Sequence, residues 1–559
     1  MPTNLNCVRA FAAIVLHCVC LLTLSAGRVA ASTEAENPSK VRAGAIRAHL
    51  EFLASDLLEG REAGTRGYDL AANYVASMYQ QIGLQPAGTN GFMQPVPLRS
   101  SILVPKSVTL SVQGAGGIRT FTDADHVAAR PSSTEVDQSL EADCVFAGFG
   151  VVSPEHERDD YAGLDVRGKF VVVLGGPPPG LPSEVAGHLG STAEQRTSAA
   201  ERGALGIFIV YTPALEARWP FTKLSAVYAQ PQMEWSDPSI PRPPGEQLRV
   251  SALVDETAAA ALFERAPHSL QAVMAEASTR APRGFALPTR AKFARRSRHS
   301  EATSANVVGM LPGGDPALSN EVIAFTSHLD HVGIGAPVNG DKIYNGALDN
   351  AAGIAAMLEV ARVLGKQPLR LRRSVLFIAT TAEEKGLVGS DYFVRKPTVP
   401  FERLVGVINL DGAMPFYPLV DVIGYGTQSS TLGRSLKEAA ASLSITVSPD
   451  LEPGQQYFTR SDHYPFVRRG IPGIFLIAGN AATPDGKNAR EINERWSQQH
   501  LHQPSDDLNQ PFDYGHMMRW AELFRRWTEG AANANERPFW YEGDYFGQRF
   551  APEARKVAR

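Results

Sequence analysis

The chain has 559 residues, with 54 Lys+Arg against 58 Asp+Glu, 44% hydrophobic residues and four cysteines. Length and apolar fraction fit several packed domains and exclude a disordered polymer or a fibre. The near-balanced charge offers no polybasic field for nucleic acid or anionic lipid, and because Cys7, Cys18 and Cys20 cluster at the start, Cys144 alone cannot support a disulfide scaffold.

In residues 1–31, Arg9 precedes an uncharged run from Ala10 to Gly27, and Val29-Ala30-Ala31 has the small-residue pattern of a cleavage site. This reads as an export signal, the alternative being a retained anchor. The mature chain is expected in the periplasm or outside the cell, without stable membrane insertion. From Ala45 to Gly83 two amphipathic helices flank the break REAGTRG, and Phe92 to about His126 alternates in strand fashion. These belong to a first domain piece, residues 32–130.

A second unit, residues 131–285, opens with short apolar strands in DCVFAGFGVVS, GKFVVVLGG and GALGIFIVY, separated by Gly and Pro clusters, with a helix in TSAAERG. Trp219 to Pro244 is Pro-rich and expected to be irregular, while ALVDETAAAALFERA and LQAVMAEA look helical. The unit carries few catalytic-type residues and reads as a binding or lid module. After it, Arg290, Lys292, Arg295, Arg296 and Arg298 alternate with Ala291, Phe293 and Ser297, the pattern of an edge strand with a solvated face. Cys144 reads as a buried small hydrophobe.

Residues 286–535 form the second piece of the first domain, leaving 536–559 as a tail. From Ser304 strands alternate with helices: EVIAFTSH, DNAAGIAAMLEVARVLG, SVLFIATTAEE, VGVINLDG, SSTLGRSLKEAAASL and GIPGIFLIAG. The fold class is therefore α/β, a mixed central sheet flanked by helices with a β-rich insert, and functional residues are expected at strand ends.

Metal-type ligands follow these strands: His328-Leu329-Asp330, Asp349, Glu383-Glu384, Asp411, and His502 with Asp506. Two imidazoles and three carboxylates suit two divalent ions such as zinc. One carboxylate shared by both would hold them about 3.5–4 Å apart. Asp349 is the natural bridge, central in sequence and set in the Gly-bounded segment NGALDNAAG. Of the adjacent glutamates, one can bind metal while the other serves as general base; cations would offset their repulsion.

The motifs HLD, NGALDNAAG, TAEEKGLVGS, INLDG and HQPSDD, in this order, resemble the co-catalytic dizinc aminopeptidases, a family related to glutamate carboxypeptidase and transferrin-receptor-like proteins. LASDLLEGREAGTRG, NVVGMLPGGDP and SDHYPFVRRGIPGIF extend the resemblance, and the middle unit is similar to a protease-associated (PA) domain. The resemblance implies His328 and Asp411 on one zinc, Glu384 and His502 on the other, Asp349 as bridge and Glu383 as general base. It implies that Asp330 orients His328 by a hydrogen bond, and that a non-proline cis peptide follows Asp349. The implied activity is hydrolysis of N-terminal residues from peptides with a free N-terminus, through a metal-bridging hydroxide.

One position departs from the family pattern. Many members place a tyrosine, able to donate to the oxyanion, where this chain has Leu501 between His500 and His502. Tyr457 and Tyr464 are the candidate substitutes; loss of such a donor costs about 10²–10³ in rate. The Pro504-Ser505-Asp506 context favours His502 over His500 as ligand, and His331 in HLDH matches no ligand position and reads as polar lining. Two alternatives stand beside the aminopeptidase: a carboxypeptidase of the glutamate-carboxypeptidase type, for whose additional helical domain too little sequence follows Trp527, and a receptor-like binding protein, which should lack several ligands.

Overall fold

The three strands Val322–His328, Ser374–Thr380 and Leu404–Leu410 run parallel, and every residue in them is buried. Strands covered on both faces need apolar side chains at every position. Alternate residues serve different cores. Ile323, Phe325, Val375 and Phe377 pack with residues of the helices Ala43–Leu53, Arg66–Ile82, Ala352–Gly365 and Tyr514–Asn533. Val322, Ala324, Leu376 and Ile378 face Phe393 and Phe466, from the helices Val388–Arg395 and His463–Val467.

The sheet is mixed, as expected. Gly473–Ala478 continues the parallel set, and Asp421–Tyr425 then pairs with it antiparallel. On the other side, the end of the long strand Phe285–Leu311 lies antiparallel to Ser374–Thr380, followed by Met93–Leu103 and Gln232–Trp235. The structure, a computed structural model, describes residues 40–122, 125–280, 282–367, 370–451 and 453–559. The expected export signal, with Cys7, Cys18 and Cys20, lies outside them. Among the described residues no helix is long and apolar enough to cross a membrane.

A second sheet is built on the parallel strands Phe170–Leu174, Gly206–Val210 and Val250–Val254. It extends beyond residues 131–285 in both directions. Thr109–Gly114, Gly117–Thr122 and Val127–Ala129 hydrogen-bond into it, and so does the first half of Phe285–Leu311.

Four local expectations change. The Pro-rich stretch contains the helix Phe221–Tyr228 and the strand Gln232–Trp235, anchored by the buried Phe221, Met233 and Trp235. The segment before ETAAAAL is a strand, and its helix starts only at Glu256, where Asp255 accepts the Ala258 N–H. The basic stretch is not an edge, since Arg290–Ala294 pairs on one side with Thr109–Gly114 and on the other with Asp137–Phe146. Arg290 is neutralised across the strands by Glu141 at 2.6 Å and Asp143 at 3.0 Å, and the buried Arg295 donates to the carbonyls of Arg130 and Arg249. Finally, the tail is packed: Trp540–Tyr541 pairs with Lys556–Val557, and Tyr545 and Phe546 are buried. Cys144 is buried, which pushes its thiol up to about 12.

Candidate metal centre

The site residues sit at the C-terminal ends of the parallel strands. His328 is the last residue of its strand, Asp411 follows Leu410 directly, and Glu383 and Glu384 lie just beyond Thr380. Asp349 lies in the turn Ala347–Ala351, which opens the helix Ala352–Gly365. His502 comes from a loop after the helix Ala489–Gln499.

Asp349 stands between two groups. Its Oδ1 is 3.1 Å from His328 Nε2, which is also 3.1 Å from Asp411 Oδ1. Its Oδ2 is 3.2 Å from His502 Nε2, which lies 3.0 Å from Glu384 Oε2. On the Glu384 side there is a second imidazole: His331 Nδ1 is 2.7 Å from Glu384 Oε1. Ligand atoms of His328, Asp349 and Asp411 all fall within 4.8 Å of one another, as do those of His331, Asp349 and Glu384. These are two clusters able to hold metal, and they share Asp349. His331, read from sequence as lining, belongs to the second; its only signal was its place one residue after HLD.

The donor set fits cations. His331 Nδ1 and Glu384 Oε1 face only each other, and His331 Nε2 is buried without a hydrogen bond, a costly state unless something else ligates it. Burial alone would pull the imidazoles of His328 and His502 down, yet the neighbouring carboxylates, Asp411 for the first and Glu384 for the second, hold both well above their usual range. Likewise, burial would raise Asp349, but its contacts with His328 and His502 keep it well below the carboxylate range. The pocket therefore demands positive charge, which two divalent ions would supply. Glu383 differs from its neighbours: burial, reinforced by Asp411 and Glu384, pushes its carboxyl well above the usual range.

Surrounding groups hold this arrangement. The peptide Asp349–Asn350 is cis. The Asn350 side chain donates to Ser327 Oγ and the Leu410 carbonyl and accepts the N–H groups of Gly353 and Gly412, tying the bridge to both neighbouring strands. A Cβ at Gly353 would lie 2.0 Å from Asn350 Oδ1, so only glycine fits there. Asp506 accepts the N–H groups of Leu348 and Asp349 at 2.8 and 3.0 Å and is pushed up to about 8, chiefly by burial.

Asp330 acts differently from the expectation. His328 Nδ1 is 3.1 Å from the Asp330 carbonyl, whereas the Asp330 carboxylate accepts the N–H groups of Glu383 and Glu384 at 3.0 and 3.3 Å. The backbone thus orients the histidine, and the side chain clamps the glutamate pair. Sequence reasoning also missed Arg61. Its buried guanidinium donates to the carbonyls of Leu329, Leu53, Asn345 and Gly346, binding the His328 and Asp349 loops to the N-terminal helices. Burial pulls it down to about 10, against the pull of nearby carboxylates that include Asp506, Asp330 and Asp349, and it remains charged at neutral pH.

Of the candidate tyrosines, Tyr464 has its hydroxyl 2.6 Å from the buried His188, and Tyr457 packs its ring 5.8 Å from Tyr425. Leu501 packs at the margin of the main core. His500 Nδ1 is 2.8 Å from Ser505 Oγ, so it is His502 that meets Asp349 and Glu384.

Residues 306–528 match the family model described as Peptidase family M28. The chain is 32% identical over 196 residues to leupeptin-inactivating enzyme 1 of Streptomyces exfoliatus, covering 34% of this chain and 40% of that protein. It is 29% identical over 187 residues to aminopeptidase YwaD of Bacillus subtilis, covering 33% and 37%. The matches thus span about two fifths of the relatives' length. The solved structure of the aminopeptidase from Aneurinibacillus sp. strain AM-1 superimposes with a TM-score of 0.52 at 19% identity, over 93% of this chain and 98% of that one. The chain thus resembles Peptidase family M28 over residues 306–528, shares the overall fold of the Aneurinibacillus aminopeptidase, and carries two ligand clusters, joined by Asp349, that could hold a pair of metal ions.

Proposed function

We propose that the chain is an exported zinc aminopeptidase. The observation that carries this reading is Asp349, which offers one oxygen to His328 and the other to His502, each imidazole having a second carboxylate beside it. Two zinc ions, one held by His328 and Asp411, one by Glu384 and His502, and both by Asp349, would polarise the scissile carbonyl and lower the pKa of water.

The chain's own residues then supply positioning and proton transfer. Glu383 would take the proton from the attacking water and return it to the leaving amine; its raised proton affinity suits a group that must hold a proton between steps. Asp330 keeps Glu383 and Glu384 in place through their backbone N–H groups. The acidic surroundings favour a substrate with a free α-ammonium group, hence peptides with an open N-terminus. The second sheet would act as a protease-associated module that narrows access to short or unfolded peptides. Export rests on the segment that begins with Arg9.

Hydrolysis of a panel of aminoacyl-nitroanilides, with and without chelator and with Glu383→Ala, tests the reading. Activity lost on chelation, restored by zinc and abolished in the variant is the expected result. Activity that survives both treatments would sink the dizinc mechanism, and cleavage of N-blocked substrates alone would redirect the assignment to a carboxypeptidase or endopeptidase.

A further inference from the structure

Away from the metal centre, five arginines line one cavity of about 110 Å³ where the two sheets meet. Ser101 and Glu234 border it from the strands Met93–Leu103 and Gln232–Trp235 of the first sheet. Arg196, from the helix Thr192–Glu201, and Arg249, just before Val250–Val254, border it from the second. Arg295 lies near the middle of the strand that both sheets share.

The charges do not balance. Arg242 pairs with Glu234 at 2.7 Å, Arg196 with Glu246 at 2.6 Å and Arg249 with Glu135 at 3.0 Å. Arg295 has no carboxylate partner and donates only to backbone carbonyls. The Arg130 guanidinium makes no hydrogen bond or ion pair among the described residues, though the cavity is lined by it. Two positive charges are left over. Three buried polar atoms of the lining also lack partners: Arg196 Nε, Arg295 Nε and Ser101 Oγ. Arg196, Arg295 and Ser101 are 5%, 4% and 4% exposed. Buried guanidiniums without a counter-charge are costly, and burial pulls Arg295 down to about 10, still cationic at neutral pH. Guanidinium forks match tetrahedral oxyanions, and the volume exceeds that of a few waters.

We propose that this cavity binds a small dianionic oxyanion of the sulfate or phosphate kind, which pins the inserted module to the peptidase sheet. The anion would bring the charge that Arg130 and Arg295 lack and accept from the orphaned donors.

The test uses the full zinc-loaded protein, titrated calorimetrically with inorganic sulfate and melted in low-millimolar sulfate against sodium chloride of equal ionic strength. Inorganic phosphate forms a second arm. Saturable binding is expected, with a rise in Tm that follows occupancy. In Arg130→Gln the sulfate affinity should fall at least about tenfold, a change of 1.4 kcal/mol, with aminoacyl-nitroanilide hydrolysis and circular dichroism unchanged. Ser101→Ala should weaken binding by a smaller factor and serves if the first variant does not fold. Absence of saturable sulfate binding to the wild type overturns the proposal. Equal affinity in wild type and the folded variant overturns it too, as does binding that vanishes on chelation, which would place the anion at the metal centre.

Discussion

Both sheets rest on three parallel strands with almost no exposed side chain, yet among the described residues only one carries clusters able to hold metal. Chain leaving Val322–His328, Ser374–Thr380 and Leu404–Leu410 reads His328-Leu329-Asp330, Glu383-Glu384 and Asp411. Chain leaving Phe170–Leu174 and Gly206–Val210 reads Gly175-Gly176-Pro177 and Tyr211-Thr212-Pro213, and after Val250–Val254 the acid Asp255 caps a helix. Buried strands set positions in space; the residues just past their ends decide whether those positions become a catalyst. Among the described residues, the second sheet has the platform without the ligands.

The largest contrast should come from the strand exits. Glu383→Gln is expected to lower kcat by about 10²–10⁴-fold with zinc content retained, whereas Thr212→Ala, at the matching exit of the second sheet, should leave kcat/KM at the wild-type level. An equal loss in both would end the distinction. His331→Asn comes next. Removing the imidazole beside Glu384 should weaken zinc binding by about 10–100-fold, the scale found for groups supporting a metal ligand, measured by competition with a chelating dye. Unchanged affinity would return His331 to mere lining.

Arg61→Met tests how the first sheet's loops are held. It leaves four carbonyls without their donor, each orphaned group costing about 1–3 kcal/mol where water cannot reach it. A loss of about 3 kcal/mol in urea unfolding is expected, with partial recovery in Arg61→Lys; wild-type stability would show that the guanidinium is dispensable.

The smallest effect belongs to a loop beside the second sheet. Burial pushes Asp160 up to about 6, although it accepts N–H groups from Phe149 and Val151, and in the unfolded chain such a group titrates near ~3.9. The folded protein therefore holds the proton more tightly, and stability falls as pH rises from about 4 to about 6. Asp160→Asn should remove that decline. Melting curves that stay parallel to wild type across this window would contradict it.

Much of the site was legible because metal ligands must combine His with carboxylates and must follow strands, and both constraints leave marks in the text of the chain. The central place of Asp349, between His328 and Glu384 in the chain, and the pairing of Glu383 with Glu384 at one strand exit were readable in this way. Arg61 was not: its partners are all backbone carbonyls, and carbonyls leave no trace in side-chain pattern. Asp330 could be located, but whether its carbonyl or its carboxylate meets His328 depends on backbone direction. In the second sheet, alternation marked Phe92 to about His126 as strand-like without indicating any partner, since period two specifies a face and not a neighbour. The basic run beyond Phe285 was misread for the same reason. Its charges suggested open water, while the compensating acids, Glu141 and Asp143, come from a strand far away in sequence.

The 27-residue strand Phe285–Leu311 also governs what can be cut away. Its first half is bonded on both sides within the second sheet, and its second half within the first. A shortened chain that omits the second sheet would strip Phe285–Arg296 of both neighbours and expose two open rows of peptide groups, a template for pairing with other chains. Removal of the module should thus produce aggregates and not a smaller folded protein.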